Sequence, residues 1–296
     1  MSEPPQTAFV LGGGGILGAH EVGMLQALAE SGIAADLVLG TSIGAVNGAF
    51  YAADPGVDGV ARLRELWSSA DVAELSSAAL LRRASTLARS GTHIESYSRL
   101  HARLSELLPV ERVEDLTTPF QCVAASIERA AEHWFDSGPL ADVVLASCAV
   151  PGILPAVRIG DEHFIDGGIV NSIPVSRAVL LGARRIFVLQ VGRVEQPLRA
   201  PRWPWEVGLV AFEVARRHRF ASDLHSLPAG IELHVMPTGG TAAPAYNDLA
   251  GQLQLRRSAR RVGRWIDVAH EASLRYLDEH VCHRPRSADL SRSSSG

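Results

Sequence analysis

The sequence predicts an α/β fold, a three-layer α/β/α sandwich with a mainly parallel central sheet. Short apolar segments of strand character alternate with segments of helical period, as in parallel strands joined by crossover helices. Several of the apolar segments end at glycines, where strands meet turns. The chain of 296 residues is 47% hydrophobic, so we expect a single domain over residues 6–281 and a disordered tail over 282–296.

The alternation can be followed through the first half of the chain. Short apolar runs that end at glycine predict buried strands, and apolar residues three or four positions apart predict helices. A capping box, Thr92–Glu95, opens the last helix of this half. The predicted segments are strands at Thr7–Leu11 and Asp36–Leu39, and helices at Gly18–Ser31, around Ala45–Phe50 and through Val57–Pro109.

The second half repeats these patterns and adds a hairpin. Gly160 and Asp161 interrupt the apolar residues of Val157–Ile165, which predicts two strands around a tight turn. The other predicted segments are strands at Pro119–Ile127, Glu132–Phe135, Arg185–Val191 and Ile231–Met236, and helices at Leu140–Cys148, Trp205–Leu227 and about 248–280.

Composition narrows the classes of function. The 28 basic residues, all of them arginine, nearly balance 32 acidic residues, and a net charge of −4 gives no reason to expect nucleic acid as a partner. Without lysine, neither a Ser-Lys dyad nor a Schiff base can form. Three scattered cysteines, no secretory start and no apolar run of membrane-spanning length predict a cytoplasmic protein without a metal or cofactor.

A GxSxG pentapeptide, Gly40-Thr41-Ser42-Ile43-Gly44, lies between a predicted strand and a predicted helix. The serine of a nucleophile elbow occupies a strained strand-to-helix turn, where only small neighbours fit. Its hydroxyl projects above the sheet beside the positive end of the helix. The context predicts Ser42 as a nucleophile, although a serine at an ordinary helix N-terminus would match the same pattern.

The glycines after the first strand offer a site for an anion. Gly13-x-Gly15-x-x-Gly18 matches the dinucleotide-binding pattern, but the end of the second strand holds the GxSxG serine where such a site needs an acid. No GK[ST] follows, which excludes a P-loop. What remains is a run of backbone N–H groups around Gly14, able to hold the oxyanion of acyl transfer.

A third motif, Asp166-Gly167-Gly168, follows the predicted hairpin. Glycines after an aspartate allow another backbone or side chain to approach the carboxylate closely. On its own the tripeptide is more typical of an ordinary turn. Together with the two earlier motifs, it supplies a candidate base for the serine.

These three motifs, in this order, resemble those of the patatin-like phospholipase family. Its members carry a glycine-rich oxyanion loop after the first strand, an early GxSxG, and a distant DG[AG] that supplies the aspartate of a catalytic dyad. The stretch Ser147–Gly152 also looks like the family's, and the likeness extends from about Ala8 to Val191. The resemblance implies a patatin-like serine acyl hydrolase of lipid or phospholipid esters, with Ser42 as nucleophile and Asp166 as base.

The resemblance also implies roles for neighbouring groups. The amides of Ile43, Gly14 and Gly15 would stabilise the oxyanion, and burial would raise the basicity of Asp166. The family often has Arg or Lys before the last glycine of its first motif, where this sequence has Leu17. That departure weakens the prediction of a phospholipid substrate more than the prediction of ester hydrolysis.

Two other functions remain open on the sequence. A Ser-His-Asp esterase of the α/β-hydrolase type needs a late histidine, but Ser42 follows only two predicted strands, earlier than in that fold. A catalytically weak regulatory or lipid-binding relative would account for Leu17. The late histidines are His218, His225, His234, His270, His280 and His283.

An aromatic segment, Trp203-Pro204-Trp205, precedes Leu209, Val210 and Phe212 in the helix predicted at Trp205–Leu227. Two neighbouring tryptophans are typical of an interface, here a lid or a peripheral contact with the inner face of the membrane. A helix face packed on the sheet explains the same residues and is the more common meaning of the pattern.

Overall fold

A computed structural model describes residues 6–68, 97–151, 154–191, 197–240 and 262–282. Within these residues, eight strands belong to one sheet. The strands are β1 (Thr7–Leu11), β2 (Leu37–Thr41), β3 (Phe120–Ser126), β4 (Ala131–Phe135), β5 (Val157–Ile159), β6 (Glu162–Asp166), β7 (Arg185–Leu189) and β8 (Glu232–Val235).

The sheet is parallel through its centre and antiparallel at one end. Its strands lie in the order β5-β6-β3-β2-β1-β7-β8, with β4 paired to β3 outside this path. Neighbours from β3 to β8 along that order run parallel, whereas β4 and β6 are antiparallel to β3, and β5 to β6. The mainly parallel sheet and the hairpin before Asp166 are as the sequence predicts.

Helices cover both faces of this sheet. Those of the described residues are α1 (Ala19–Glu30), α2 (Ile43–Ala53), α3 (Val57–Ser68), α4 (Tyr97–Leu107), α5 (Leu140–Ser147), α6 (Gly168–Asn171), α7 (Val175–Leu180), α8 (Pro204–His225) and α9 (Val262–Leu277). Shorter turns are the 3₁₀ turns Gly15–Gly18 and Val113–Asp115 and a π-helical turn at Asp278–Cys282.

The buried strands point alternate side chains into two apolar layers, as strands covered on both faces do. In β1, Phe9 and Leu11 face a core shared with α1, α2, α3, α5 and α9, whereas Ala8 and Val10 face a second core shared with α7 and α8. At Gly23, α1 lies so close to α9 that a Cβ would come 2.2 Å from the carbonyl oxygen of Ile266. The three-layer architecture is thereby confirmed.

Some boundaries differ from the prediction. β2 continues to Thr41 because Gly40 and Thr41 still pair with β3. The helices α6 and α7 are not predicted by the sequence, because they have only 4 and 6 residues and the glycines after Asp166 are typical of a turn. The capping box Thr92–Glu95 and residues 248–261 and 283–296 lie outside the described residues. No helix within the described residues is both long and apolar enough to cross a membrane.

Candidate active site

Ser42 lies on a sharp turn between β2 and α2, with φ 55° and ψ −123°. Residues other than glycine rarely adopt these backbone dihedral angles, so the backbone of Ser42 is strained. Glycines on either side make the turn possible. A Cβ on Gly40 would lie 2.5 Å from Cα of Ala45, and one on Gly44 would lie 2.4 Å from the carbonyl oxygen of Leu11. The strand-to-helix turn therefore has the form of a nucleophile elbow.

The register of the sheet brings Asp166 beside Ser42. Thr41 pairs with Val123 on β3, and Asp166 pairs with the next residue, Ala124, from the other side of that strand. Ser42 and Asp166 are therefore level across β3. The Ser42 hydroxyl donates a hydrogen bond of 2.6 Å to Oδ2 of Asp166, although 124 positions separate the two residues.

The Asp166 carboxylate is almost completely buried, with 3% of the residue exposed. Burial raises its pKa to about 6, although hydrogen bonds from Ser42 and Gly168 act in the opposite direction. The Gly168 amide, at the start of α6, donates to Oδ1 over 2.7 Å. Gly167 allows the close approach to β3, because a Cβ there would lie 2.1 Å from the Val123 carbonyl oxygen. The result is a buried carboxylate with raised proton affinity, in contact with one hydroxyl.

The glycine-rich loop between β1 and α1 passes directly over Ser42. A Cβ on Gly13 would lie 3.4 Å from Cβ of Ser42. The Gly13 amide donates to the Ser172 carbonyl oxygen over 3.0 Å, so it shapes the loop. The candidate oxyanion donors are the amides of Gly14, Gly15 and Ile43. Ile43 opens α2, where amides have no acceptor within the helix.

A buried polar network supports the far end of this loop. Asn47 donates to the Gly18 carbonyl oxygen over 3.0 Å and to Glu21 over 2.8 Å, and it accepts a hydrogen bond from Trp67. Burial raises the pKa of Glu21 well above its usual range, which favours a neutral carboxyl group. Gly18 has no room for a side chain, since a Cβ would lie 2.6 Å from Cγ1 of Ile43. The network fixes the loop against the elbow.

Leu17, the departure from the family motif, has 1% of its surface exposed and packs in the core shared with α1 and α2. The neighbouring His20 ring contacts the Leu17 carbonyl oxygen at 2.9 Å. In this chain the position contributes to packing, not to a surface that could bind a lipid head group.

Ser147, the last residue of α5, supports the elbow and was not predicted as a site residue. Its hydroxyl is fully buried, donates to the Val123 carbonyl oxygen over 2.7 Å and accepts from the Ser42 amide over 2.9 Å. The sequence of Ser147–Gly152 does not indicate this contact, because 105 positions separate Ser147 from Ser42. Ser147 ties the strained Ser42 backbone to the sheet.

Replacing Ser147 with alanine leaves the Ser42 amide and the Val123 carbonyl without their partner. We expect a loss of about 1–3 kcal/mol in unfolding free energy, the cost of unpaired buried groups. For the ester hydrolysis that the sequence motifs predict, we also expect a fall in kcat of up to about 100-fold, because displacements of about 1 Å cost that much. Urea unfolding and ester turnover measure both. Ser273→Ala, which removes another buried hydroxyl from α9, is the control and should retain wild-type kcat. Equal kcat in the two variants would contradict this role.

A Ser-His-Asp triad finds no support in the part of the chain that the structure describes. Ser42 contacts Asp166 directly, and the late histidines with described contacts bind elsewhere. His283 lies outside the described residues, and His218 is exposed on α8. The contacts are His225 with the Ala221 carbonyl, His234 with Glu232 and Tyr276, His270 with Glu30, and His280 with the Tyr276 carbonyl.

Cysteine chemistry is also disfavoured at this site. Cys148 lies beside Ser42 and Asp166, and burial, with the nearby aspartate, raises the pKa of its thiol well above the usual range. A thiol held in this form is a poor nucleophile. Among the described residues, no group of three His, Cys, Asp or Glu side chains is arranged to hold a metal ion.

The fold and site together define a class: α/β sandwiches with a serine–aspartate pair at a strand-to-helix elbow. The chain belongs to the patatin-like phospholipase family, since the family model of that name matches residues 9–179, more than half of the sequence. The match includes the glycine-rich loop, the elbow and Asp166. It ends before α8.

Individual relatives agree with this assignment. The Caenorhabditis elegans patatin-like phospholipase domain-containing protein ZK370.4 is 33% identical over 190 residues, 64% of this chain and 14% of that protein. Patatin-like phospholipase domain-containing protein 7 of Rattus norvegicus is 32% identical over 62% of this chain and 13% of its own length. Lysophospholipase nte1 of Emericella nidulans is 30% identical over 63% of this chain and 12% of its own length. The chain thus matches only 12–14% of the length of these relatives.

A solved structure is similar in fold. VipD from Legionella pneumophila superposes with a TM-score of 0.50 at 15% identity, covering 94% of this chain and 68% of VipD. At that identity the likeness concerns the fold alone. Because the superposition covers 94% of this chain, the likeness in fold extends beyond residue 179, where the family match ends.

Proposed function

We propose that this chain is a serine acyl hydrolase that cleaves fatty acyl esters of lipids or phospholipids, with residues 6–281 as one catalytic domain. The observation that carries the proposal is the 2.6 Å hydrogen bond from the Ser42 hydroxyl to a buried Asp166 whose pKa is raised to about 6. A carboxylate of that pKa is still ionised at neutral pH, and it is a stronger base than an exposed aspartate. Family membership supports the ester-hydrolase chemistry.

Acylation begins as Asp166 accepts the Ser42 proton while the hydroxyl oxygen attacks the ester carbonyl carbon. The carbonyl oxygen becomes an oxyanion, which the amides of Gly14, Gly15 and Ile43 stabilise by hydrogen bonds. The tetrahedral intermediate then collapses and the bond to the alcohol breaks. The departing alkoxide takes the proton from Asp166, leaving the acyl group on Ser42.

Deacylation repeats these steps with water as the nucleophile. Asp166, again ionised, removes a proton from water as the water oxygen attacks the acyl-enzyme carbonyl. Collapse of the second intermediate returns the proton to the Ser42 oxygen and releases the fatty acid. One aspartate therefore acts as base and acid in both halves, and no third residue is needed.

A panel of substrates tests the proposal. Wild type and Ser42→Ala are compared on p-nitrophenyl esters of short and long chains, a monoacylglycerol, a lysophospholipid and a diacyl phospholipid, with free fatty acid as the readout. We expect wild type alone to release fatty acid, whereas Ser42→Ala releases none. A folded wild type that releases none from any substrate, or equal release by both proteins, would contradict the proposal.

A peripheral membrane contact, made from the cytoplasmic side, is part of the proposal. Trp203, Val207 and Val214 are 57%, 54% and 53% exposed and recur at helical spacing along the outer side of α8. Phe212, on the opposite side, lies against Gly168 next to Asp166. Phe212 therefore packs against the protein, as expected for one face of this helix, whereas Trp203, Val207 and Val214 on the outer side of α8 are open to solvent. The exposed Arg202 directly precedes Trp203, and its positive charge suits an anionic lipid surface.

Vesicle sedimentation tests this contact. We expect binding to vesicles of phosphatidylglycerol and phosphatidylcholine, and weaker binding to phosphatidylcholine alone. A variant combining Trp203→Ala, Val207→Ser and Val214→Ser should bind at least about tenfold more weakly, because apolar area is lost from the interface. Leu180→Ser, an exposed apolar residue of α7, is the control and should bind as wild type does. Negligible binding to both vesicle types, or equal losses in both variants, would contradict the contact.

A further inference from the structure

The inner side of α8 carries a buried cluster of charges beside the glycine-rich loop. Arg216 and Glu213 are 5% and 1% exposed and form two hydrogen bonds of 3.1 and 3.2 Å, from Nε and from one terminal nitrogen. Arg217 approaches the same carboxylate at 3.1 Å. Glu213 is therefore shared by two arginines, and the five N–H groups of the Arg216 guanidinium exceed what one shared carboxylate accepts. A buried cation of this kind needs further acceptors.

The other terminal nitrogen of Arg216 supplies those contacts. It donates to the Gly13 carbonyl oxygen over 3.5 Å and to the Ser172 hydroxyl oxygen over 3.4 Å. The Ser172 carbonyl oxygen in turn accepts from the Gly13 amide. Both polar groups of Gly13 are therefore held, one by Arg216 and one by the segment that follows Asp166.

The Gly13 carbonyl shares a peptide plane with the Gly14 amide. Because that plane is rigid and trans, fixing the carbonyl oxygen fixes the N–H on its opposite side. A hydrogen bond to the oxygen also polarises the peptide and strengthens its N–H as a donor. The restraint matters in this loop, since four consecutive glycines, Gly12–Gly15, have more conformational freedom than any other residues.

We propose that Arg216 is a positioning residue that holds the Gly13–Gly14 peptide so that the Gly14 amide points at the oxyanion. The inference rests on the proposed acyl hydrolase function and adds to it a residue from beyond the matched segment 9–179. Leu17 leaves the loop without the basic residue that the family often has there, and Arg216 brings a cation to the same loop from α8. Arginine suits this role because its fork can bind Glu213 and the loop together.

Kinetics of Arg216→Gln and Arg216→Lys test the proposal. Arg216→Gln leaves Glu213 paired with Arg217, so we expect it to fold. Its kcat should fall by about 10- to 100-fold with little change in KM, because an oxyanion donor acts in the transition state. The pKa of the acidic limb of its pH–rate profile should match that of wild type, since none of the described hydrogen bonds of Arg216 reaches Asp166. Arg216→Lys should be intermediate.

The matched control is Arg219→Gln, which removes the same charge from α8 but pairs with Asp223 and Glu132. It should keep wild-type kcat. The proposal is overturned if Arg216→Gln is folded with kcat within about threefold of wild type, or if Arg219→Gln loses as much. Should Arg216→Gln fail to fold, full activity in Arg216→Lys would overturn it, and a selective fall in kcat would support it.

Hydrogen exchange separates this proposal from the proposed function. In Arg216→Gln, the amides of the segment 9–19 should exchange faster than in wild type, whereas Arg219→Gln should leave them unchanged. That readout needs no substrate. Absence of Ser42-dependent hydrolysis in wild type would contradict the proposed function, whereas unchanged exchange in Arg216→Gln would contradict the positioning role of Arg216.

Discussion

Replacing Ser42 with alanine should abolish ester hydrolysis, with a fall in kcat of about 10⁴-fold or more, as loss of a nucleophile does. The hydroxyl oxygen is the atom that forms the acyl-enzyme, and Asp166 has no other hydroxyl hydrogen bond in the described residues. Turnover of a long-chain ester measures the effect. Residual hydrolysis within about tenfold of wild type would show that another group acts as the nucleophile.

The same position gives a stability test. Ser42 has φ 55°, a conformation that glycine adopts freely and alanine does not. We therefore expect the free energy of unfolding of Ser42→Gly to exceed that of Ser42→Ala by about 1 kcal/mol or more, which is the usual cost of such strain. Urea unfolding measures the difference. Both variants lack the hydroxyl and should be inactive. A higher stability of Ser42→Gly would show that the conformation at position 42 destabilises the fold when the residue is not glycine.

Replacing Asp166 with asparagine should have the second largest effect, a fall in kcat of about 10³- to 10⁴-fold. Asparagine has nearly the same shape, and its oxygen can still accept from the Gly168 amide. It cannot accept the Ser42 proton, so the nucleophile is not activated. The matched control is Asp223→Asn, because Asp223 accepts a 2.8 Å hydrogen bond from Ser176 outside the site. Similar losses in both variants would contradict the assignment of Asp166.

The pH dependence of wild type follows from the Asp166 carboxylate. The base must be ionised, so kcat/KM should rise with pH and level off above the pKa of about 6. Stability changes in the opposite sense. A carboxyl group whose pKa is raised by folding stabilises the folded state at low pH. This contribution is lost as the pH rises from the ordinary pKa of an aspartate, 3.8, to the folded-state pKa of about 6. Asp166→Asn should therefore gain stability relative to wild type between pH 4 and pH 8.

Much of the fold was predictable because its strands, helices and turns follow from residues that are close together in the sequence. The alternation of buried strands with helices gave the parallel sheet, and the glycines of Gly40–Gly44 marked the elbow, since only glycine tolerates the contacts made there. The hairpin before Asp166 was predictable from Gly160, which has φ 62° at the turn.

The supporting residues could not be predicted in the same way. Ser147 and Arg216 are 105 and 203 positions from the groups they hold, Ser42 and Gly13, and no spacing in the sequence indicates such contacts. Arg216 belongs to a helix whose arginines could equally have formed a solvated face. Burial of the cluster with Glu213 depends on how α8 lies on the loop, which only the fold defines.

The most direct test of the Ser42–Asp166 pair is the site and rate of labelling by a fluorophosphonate, followed by peptide mass mapping. We predict one adduct per chain, on Ser42, with a labelling rate that rises through a pKa of about 6 and falls at least about 100-fold in Asp166→Asn. A folded wild-type protein that takes no adduct at Ser42, or one that labels equally fast with asparagine at position 166, would contradict it.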